Sequence, residues 1–389
     1  MSPESSRAAA ASAAGAASPP FRFYDNRQKY LAFVTTCNEK SAVAHRAAHE
    51  VSLLRPTPPA IRIFDAGMGD GTVLSRLMRN THRVFPTVPM LVVAKEISLE
   101  DVRLGLDKMP DRFHEHPATV LVITNLNYSE APRLMTRDVQ AAAALNWQEV
   151  RLRGDSSDEY SDCIEELAST LDHGWQTKPS PKSGNPTYLR PSVLVIYRED
   201  HQFLLDGVIP RPGRTFGDYD LIIASQPWRA RMSAQFKAQR VLLPLARSLA
   251  PGGRMLAIQS YGHDPALEIV QKVWPGENPF KVDRHQLLAA LKTELGRDAR
   301  DYSLTAPPDE KAIFRYMMHT LPSEITDRIG TSTLFAAWNA AIYVNQIEDE
   351  RLDEVVKTGT YLQATQAVLR EHGGLWFNDE TFVVSRRRP

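Results

Sequence analysis

Cysteine is almost missing: Cys37 and Cys163 are the only two in 389 residues. They form no C-x-x-C pair, which excludes a disulfide framework and a thiolate zinc site and fits a reducing, cytoplasmic setting. Net charge is missing too, with 46 Lys and Arg set against 46 Asp and Glu. A broad nucleic-acid footprint needs clustered basic excess, so nucleic acid is not the expected partner. A local patch stays open, and Arg211, Arg214, Arg229 and Arg231 would supply it. No apolar run approaches the roughly 20 residues of a membrane span, so no membrane partner is expected. There is no internal repeat and no long heptad. His45 and His49 share a helix face but lack a third ligand and an H-E-x-x-H pattern, so no metal is expected. Residues 1–20 lack large apolar groups and read as a disordered tail. A single arginine, Arg7, makes them a poor transit peptide. What remains is 43% hydrophobic and 24% charged, an ordinary globular composition, and long for one domain.

The most informative stretch runs from Ile61 to Thr72. Ile61, Ile63 and Phe64 read as a buried strand. Asp65 ends it, and Gly67, Gly69 and Gly71 follow at alternate positions around Met68 and Asp70. Thr72 is placed to cap a helix carrying Val73, Leu74, Leu77 and Met78 at helical spacing. The glycines allow backbone to approach a ligand and to take positive φ. A P-loop needs Lys-Ser/Thr after its last glycine, and Thr72-Val73 stands there instead. A dinucleotide fingerprint reads G-x-G-x-x-G; this one reads G-x-G-x-G. The carboxylate of Asp65 at the mouth repels a pyrophosphate and suits a ligand bearing an ammonium or sulfonium. A second acid, Glu96, ends the next apolar run (90–94), where nucleoside-binding α/β folds place the acceptor for ribose hydroxyls.

These residues resemble the class I S-adenosylmethionine-dependent methyltransferases. The resemblance rests on the glycine motif Phe64 to Gly71, on Glu96, on Asp220 to Trp228, and on the turn Leu249 to Arg254. It spans residues 55–265, less one insertion. It implies a doubly wound, mostly parallel seven-stranded sheet with helices on both faces, and S-adenosylmethionine as cofactor. The implied cofactor residues are Asp65, Gly67, Met68, Gly69, Gly71, Glu96 and Ser225. Asn125 and Leu126, after strand three, would flank the adenine, with Asn127 an equal polar partner. A helical segment before the glycine motif often covers the cofactor in this class. Tyr30, Thr36 and Cys37 are the lid candidates, with plain packing on the sheet as the other reading.

Taken in order, residues 21–56 read as a helical lid broken near Thr35–Glu39, with Asn38 a cap. Residues 57–389 read as the Rossmann-like domain. Strands are expected at 61–66, 90–96 and 118–125 and helices at 72–80 and 98–108, an alternation that implies a parallel sheet with its crevice at the strands' carboxyl ends. Residues 130–215 form an insertion between strands three and four: helices at 136–150 and 158–172, a loop at 178–191, and a hairpin over 193–205. A helix is expected at 229–249 and strand five at 254–260. A helical elaboration spans 282–350, with helices at 282–297, 308–319 and 332–350, and offers a pocket wall or a homodimer surface. Helix 360–371 precedes an antiparallel hairpin that breaks at Asn378-Asp379-Glu380.

Ser225-Gln226-Pro227-Trp228 partly resembles the Asn/Asp/Ser-Pro-Pro-aromatic loop of amino-group methyltransferases, with Gln226 standing where the first proline would be. Ser225, Gln226 and Trp228 are therefore candidates to aim an amine, beside the reading of Trp228 as a packing residue. Tyr261 and His263, after strand five, are candidate proton acceptors for a hydroxyl; Asp264 reads as a helix cap. The function expected is methyl transfer, N-directed, to a small molecule or protein side chain. The alternatives are a nucleic-acid (RNA) methyltransferase and a non-catalytic scaffold on the same fold.

Overall fold

The computed structural model describes residues 27–180, 186–320, 322–326 and 329–388. The Ala- and Ser-rich tail and the start of the first helical segment, Tyr24 included, lie outside the described residues. Twelve strands are found among the described residues: β1 (Ile61–Asp65), β2 (Met90–Lys95), β3 (Thr119–Thr124), β4 (Asn146–Leu152), β5 (Thr177–Pro179), β6 (Pro186–Tyr188), β7 (Ser192–Arg198), β8 (Tyr219–Ser225), β9 (Leu249–Ser260), β10 (Tyr302–Ser303), β11 (Ile313–Met317) and β12 (Trp376–Arg386). Ten of them form one sheet in the order β10-β12-β9-β8-β1-β2-β3-β7-β4, with β11 also on β12.

The stretch β3-β2-β1-β8-β9 is parallel throughout, and β12 closes it antiparallel against β9. β1 and β3 are buried along their whole length, the signature of parallel strands covered on both faces. One face carries helix Thr72–Val84, which buries Val73, Leu74, Leu77 and Met78 there. The other carries the helical stretch 234–246, with Val241, Leu242 and Leu245 buried. A third apolar cluster joins Phe33 of helix Arg27–Thr36 to helices Pro265–Val273, Thr331–Val344 and Thr360–His372. Leu334, Trp338, Ile342 and Val344 of helix 331–344 are buried in this cluster, while Phe335 is 48% exposed.

Several sequence expectations are corrected. The sheet has ten strands, not seven. The insertion lengthens the sheet: β7 lies antiparallel on β3, and β4 parallel on β7. The stretch 136–150 holds only a short helix, Val139–Ala143, before β4. No hairpin follows β7, because the chain turns into a 3₁₀ turn and the short helix Gln202–Leu205. Residues 178–191 include the small ribbon β5–β6. The stretch 308–319 gives a one-turn helix, Asp309–Ala312, and then β11, whose Tyr316 stacks on Phe377 at 4.9 Å. Helix 229–249 shrinks to 234–246, and β9 begins at Leu249.

The carboxyl-terminal hairpin is instead one strand, β12. Its polar centre misled the reading, because Asp379 and Glu380 are buried rather than exposed at a turn. Glu380 accepts from Gln259 at 2.8 Å and from Arg284 at 3.1 Å. Asp379 accepts from Gln226 at 3.2 Å. Buried polar groups persist where such partners exist, and those partners lie more than ninety residues away in sequence. Among the described residues no helix is long and apolar enough to cross a membrane.

Candidate functional site

A cleft of ≈ 1490 Å³ runs from the carboxyl ends of the parallel strands along the helical stretch 234–246 to Arg247 and Ser248, where the Ser248 carbonyl accepts from Tyr219 at the start of β8. Gly67 and Gly69 line it, and Glu96 faces them from the end of β2. The Glu96 carboxylate is held by three backbone N–H groups: Gly69 donates to Oε2 at 2.8 Å, and Ile97 and Ser98 donate to Oε1 at 2.8 and 2.9 Å. This fixes the acid and pins the glycine turn to the neighbouring strand.

Asp65 lies beneath the turn, 3% exposed, and accepts from the Gly67 N–H at 3.1 Å. Burial pushes its carboxyl up to about 6; the Gly67 N–H works against that shift, and Glu96 adds to it. Gly71 sits at φ 75° and precedes the helix 72–84. Thr72 does not cap that helix. Its N–H and hydroxyl both donate to the Asp70 carboxylate, at 3.3 and 2.6 Å. Met68 is buried in the core beneath the turn, and its carbonyl accepts from Gly71.

The lid candidates separate. Tyr30 lines the cleft above the turn, its hydroxyl accepting from the Asp70 N–H at 3.4 Å. Thr36 donates back to Ala32 at 2.6 Å, and Cys37 is buried, its thiol pushed up to about 12 by burial. Neither of them lines the cleft. Asn38 makes no side-chain cap; its Oδ1 accepts from the Met317 N–H at 2.7 Å.

Asn125 and Leu126 are also kept from the cleft. The Asn125 amide donates to the carbonyls of Gly174 and Arg190 at 3.0 Å each and accepts from Ser192 at 2.8 Å. That side chain ties β3 to β7. Leu126 is fully buried in the core. Asn127 does reach the cleft, where it bonds Glu130 and Ser129.

Ser225, Gln226, Pro227 and Trp228 also line the cleft, and the Pro227 carbonyl accepts from the Tyr128 hydroxyl at 3.1 Å. Gln226 adopts φ 49°, a left-handed conformation uncommon for a side-chain-bearing residue and found preferentially at functional sites. Its amide donates to Ser260 at 3.1 Å and to Asp379 at 3.2 Å, and its backbone N–H donates to Ile258 at 2.9 Å. Proline holds φ near −65° and has no N–H, so this position does not take the proline of the amino-group loop. The backbone course, not only the residue type, departs from that pattern. Gln226→Pro is expected to cost about 2–4 kcal/mol through strain and the lost bonds. Gln226→Gly is expected to stay within about 1 kcal/mol of wild type. Urea denaturation of the two variants checks the ordering, and its reversal would rule out the left-handed turn.

The Trp228 indole N–H donates to Gln259 at 2.9 Å, fixing the ring at the cleft wall, and Lys237 lies 5.6 Å from the ring centroid. Burial pushes Lys237 down to about 8. Tyr261 and His263 do not line the cleft. Their rings pack on each other at 5.0 Å, and the His263 carbonyl accepts from Asn378. Asp264 caps helix 265–273 through Leu267, as expected.

Lys40, Lys95, Tyr128 and Tyr343 are among the cleft residues that were not anticipated. Lys40 lies 5.4 Å from the Tyr30 ring centroid and 3.4 Å from Glu39 Oε2. Burial works against its charge, but Glu39, Tyr30 and Asp70 hold its ammonium well above the usual lysine range. Lys95 lies 4.8 Å from the Tyr128 ring centroid, and burial lowers its ammonium pKa while Glu96 opposes that. Lys95 and Tyr128 adjoin Glu96 and Asn127 in sequence, so a strand-end reading reaches them. Tyr343 arrives from helix 331–344 through tertiary packing alone.

No family model and no curated protein matches the chain. Among solved structures it is similar to a candidate sarcosine dimethylglycine methyltransferase from Galdieria sulphuraria, at 11% identity over 90% of this chain and 85% of that one, TM-score 0.31. It is similar to PKMT2 from Rickettsia typhi, solved in complex with AdoHcy, at 10% identity over 89% and 54%, TM-score 0.29. It is also similar to the plantazolicin methyltransferase BamL, solved with SAH, at 7% identity over 94% and 91%, TM-score 0.31. The sheet order above, not these alignments, defines the fold.

Proposed function

We propose that the chain is an S-adenosylmethionine-dependent methyltransferase that methylates nitrogen. The observation that carries this reading is the Glu96 carboxylate, fixed by three N–H groups opposite a turn whose Gly67 and Gly69 leave backbone exposed to the cleft. This donor set fits a nucleoside with a cationic tail. Glu96 would accept from ribose hydroxyls. Gly67 and Gly69 would allow close approach, and the acid of Asp65 would favour the positive end. The same acids disfavour a pyrophosphate.

Bound S-adenosylmethionine supplies an electrophilic methyl on a sulfonium. The chain's own residues then have to position the acceptor, and alignment of two reactants accounts for much of such a rate. Ser225 and the ring of Trp228 would orient the acceptor at the cleft wall. The two candidate bases, Tyr261 and His263, stand away from it. A nitrogen whose lone pair needs only aiming is therefore favoured over a hydroxyl, which needs a proton acceptor.

Calorimetric titration with S-adenosylhomocysteine tests the cofactor. Asp65 has its carboxyl pushed up to about 6 when the cleft is empty, and a bound ammonium nearby favours the ionised form. Binding is therefore full above pH 6. It is expected to weaken below that, by up to about tenfold per pH unit, as binding must expel the proton. Asp65→Asn is expected to bind weakly with a flat profile. Absence of wild-type binding would leave a scaffold on the same fold; a flat wild-type profile would remove Asp65 from the site.

A further inference from the structure

The charges lining the cleft are unevenly distributed. Seven cationic side chains line it against three carboxylates, although the chain as a whole is neutral. The three acids, Glu39, Glu96 and Asp101, all belong to the glycine-turn end. Away from that end the lining cations are arginines: Arg133, Arg137, Arg229, Arg240 and Arg247. Arg133, Arg137, Arg240 and Arg247 are exposed. Among the described residues the first three form no side-chain ion pair, although the Arg137 backbone N–H donates to the Glu130 carboxylate at 3.3 Å, and Arg247 has only Asp298, at 3.7 Å. By contrast, of the arginines singled out in the sequence, Arg211 is paired with Asp206, and Arg231 with Glu277 and Glu348.

The arginines line the same cleft from two segments. Arg240 and Arg247 lie on and just beyond the helical stretch 234–246, which is about 20 Å long at 1.5 Å per residue. Arg133 and Arg137, from the segment after β3, line the same cleft, the Arg133 side chain passing beside Gly217. The helix carries a π turn at Ala238–Leu242, a distortion common at functional sites, and Arg240 sits in it. Phe236, 43% exposed, and Met135, 52% exposed, line the cleft as well. Arginines along a cleft that also exposes an aromatic and an apolar side chain match a sugar-phosphate backbone with bases stacked beside it. A single small anion would need fewer cations over a shorter distance.

We infer that the methyl acceptor is a single-stranded nucleic acid, its phosphates tracking the arginine groove and its target base entering between Ser225 and Trp228. The inference rests on the methyltransferase reading and narrows its acceptor to a nucleobase nitrogen. A base in a duplex would have to be extruded to reach the cleft floor, whereas a base in a single strand reaches it without that cost. The nitrogen lone pair forms the new bond to the methyl carbon, the carbon–sulfur bond breaks with its electron pair left on sulfur, and the nitrogen's proton passes to water.

Fluorescence anisotropy with labelled single-stranded RNA and DNA of about 12 nucleotides tests this, with S-adenosylhomocysteine titrated into the same protein samples. Binding is expected to weaken steeply between 50 and 200 mM salt, with a log–log slope of about −0.7 per phosphate contacted. The double variant Arg133→Glu/Arg240→Glu is expected to lose at least tenfold in affinity and to flatten the slope by about 1.4, with cofactor binding unchanged. Phe236→Ala is expected to lose about fivefold. Transfer of labelled methyl from the cofactor into the oligonucleotide completes the expected result. A wild type that binds the cofactor but no oligonucleotide overturns the acceptor and leaves the methyltransferase reading intact. Equal binding of inorganic polyphosphate, a mononucleotide or a duplex overturns it as well, as does an unaffected double variant. Oligonucleotide binding without cofactor binding would instead sink the methyltransferase reading and, with it, the acceptor role of the strand.

Discussion

Gly71→Ala is expected to destabilise the protein by about 2–5 kcal/mol, while Gly67→Ala, four residues earlier in the same turn, leaves stability within about 0.5 kcal/mol of wild type. A Cβ on Gly71 would stand 2.6 Å from the Gly105 Cα, which is backbone and has no room to retreat, and φ at Gly71 is 75°. Gly105 in turn lies against the Met68 side chain, so neither side of the contact relaxes cheaply. At Gly67 a Cβ meets nothing within 4 Å. Its methyl would project where Gly67 lines the cleft, and cofactor affinity is expected to fall about tenfold or more, that is by about 1.4 kcal/mol or more. Thermal denaturation and calorimetric titration of the two variants separate the effects. Gly71→Ala should lower Tm by roughly 2–6 °C, taking an unfolding entropy of about 2.1 cal/mol/K per residue. Gly67→Ala should keep its Tm and lose its ligand. An unchanged affinity for Gly67→Ala would place the ligand elsewhere in the cleft.

Glu96→Ala is expected to reduce S-adenosylhomocysteine affinity by at least about 100-fold, near 2.8 kcal/mol. Two losses combine. The ribose acceptor goes, and so does the charge-assisted anchor that holds the Gly69 N–H at 2.8 Å. Because Glu96 is only partly buried, water replaces some of the lost bonds, and the stability cost is expected to stay near 1–2 kcal/mol. Glu96→Gln is the sharper probe. Both carboxylate oxygens accept from backbone N–H groups, Gly69 on one and Ile97 and Ser98 on the other. An amide has only one acceptor oxygen, so its NH₂ must face a backbone N–H on one side or the other. Its affinity should therefore fall nearly as far as that of the alanine variant. Glu96→Gln binding with wild-type affinity would show that the carboxylate has no part in holding the ligand.

What the sequence by itself determined lies close together along the chain. The run Ile61 to Phe64, the alternate glycines and the amphipathic helix after them are legible as a strand-turn-helix from their local pattern, although Glu96 and Gly105 complete the turn's packing. Glu96 and Ser225 were legible for the same reason: each ends an apolar run, and in a parallel sheet the ends of such runs converge on one crevice. Residue type at a strand end was not enough, however, to say which side chain turns into that crevice. Asn125 ends β3 as Glu96 ends β2, yet its amide is taken by Gly174, Arg190 and Ser192. His263 follows β9 but packs on Tyr261 instead.

Only the tertiary structure decided the rest, because those choices depend on partners far away in sequence. β4 and β7 extend the sheet by pairing with each other and with β3, and no local period marks such edge strands reliably. Asp379 and Glu380 read as a turn until Gln226, Gln259 and Arg284 are brought beside them. The left-handed Gln226 is sustained by Ser260 and Asp379 rather than by its own neighbours. The arginine groove was hidden most completely. Formal net charge sums over the whole surface, whereas a ligand feels only the side chains within about a Debye length, some 8–10 Å. The fold gathers Arg133, Arg137, Arg240 and Arg247 around one cleft and leaves its carboxylates at the other end.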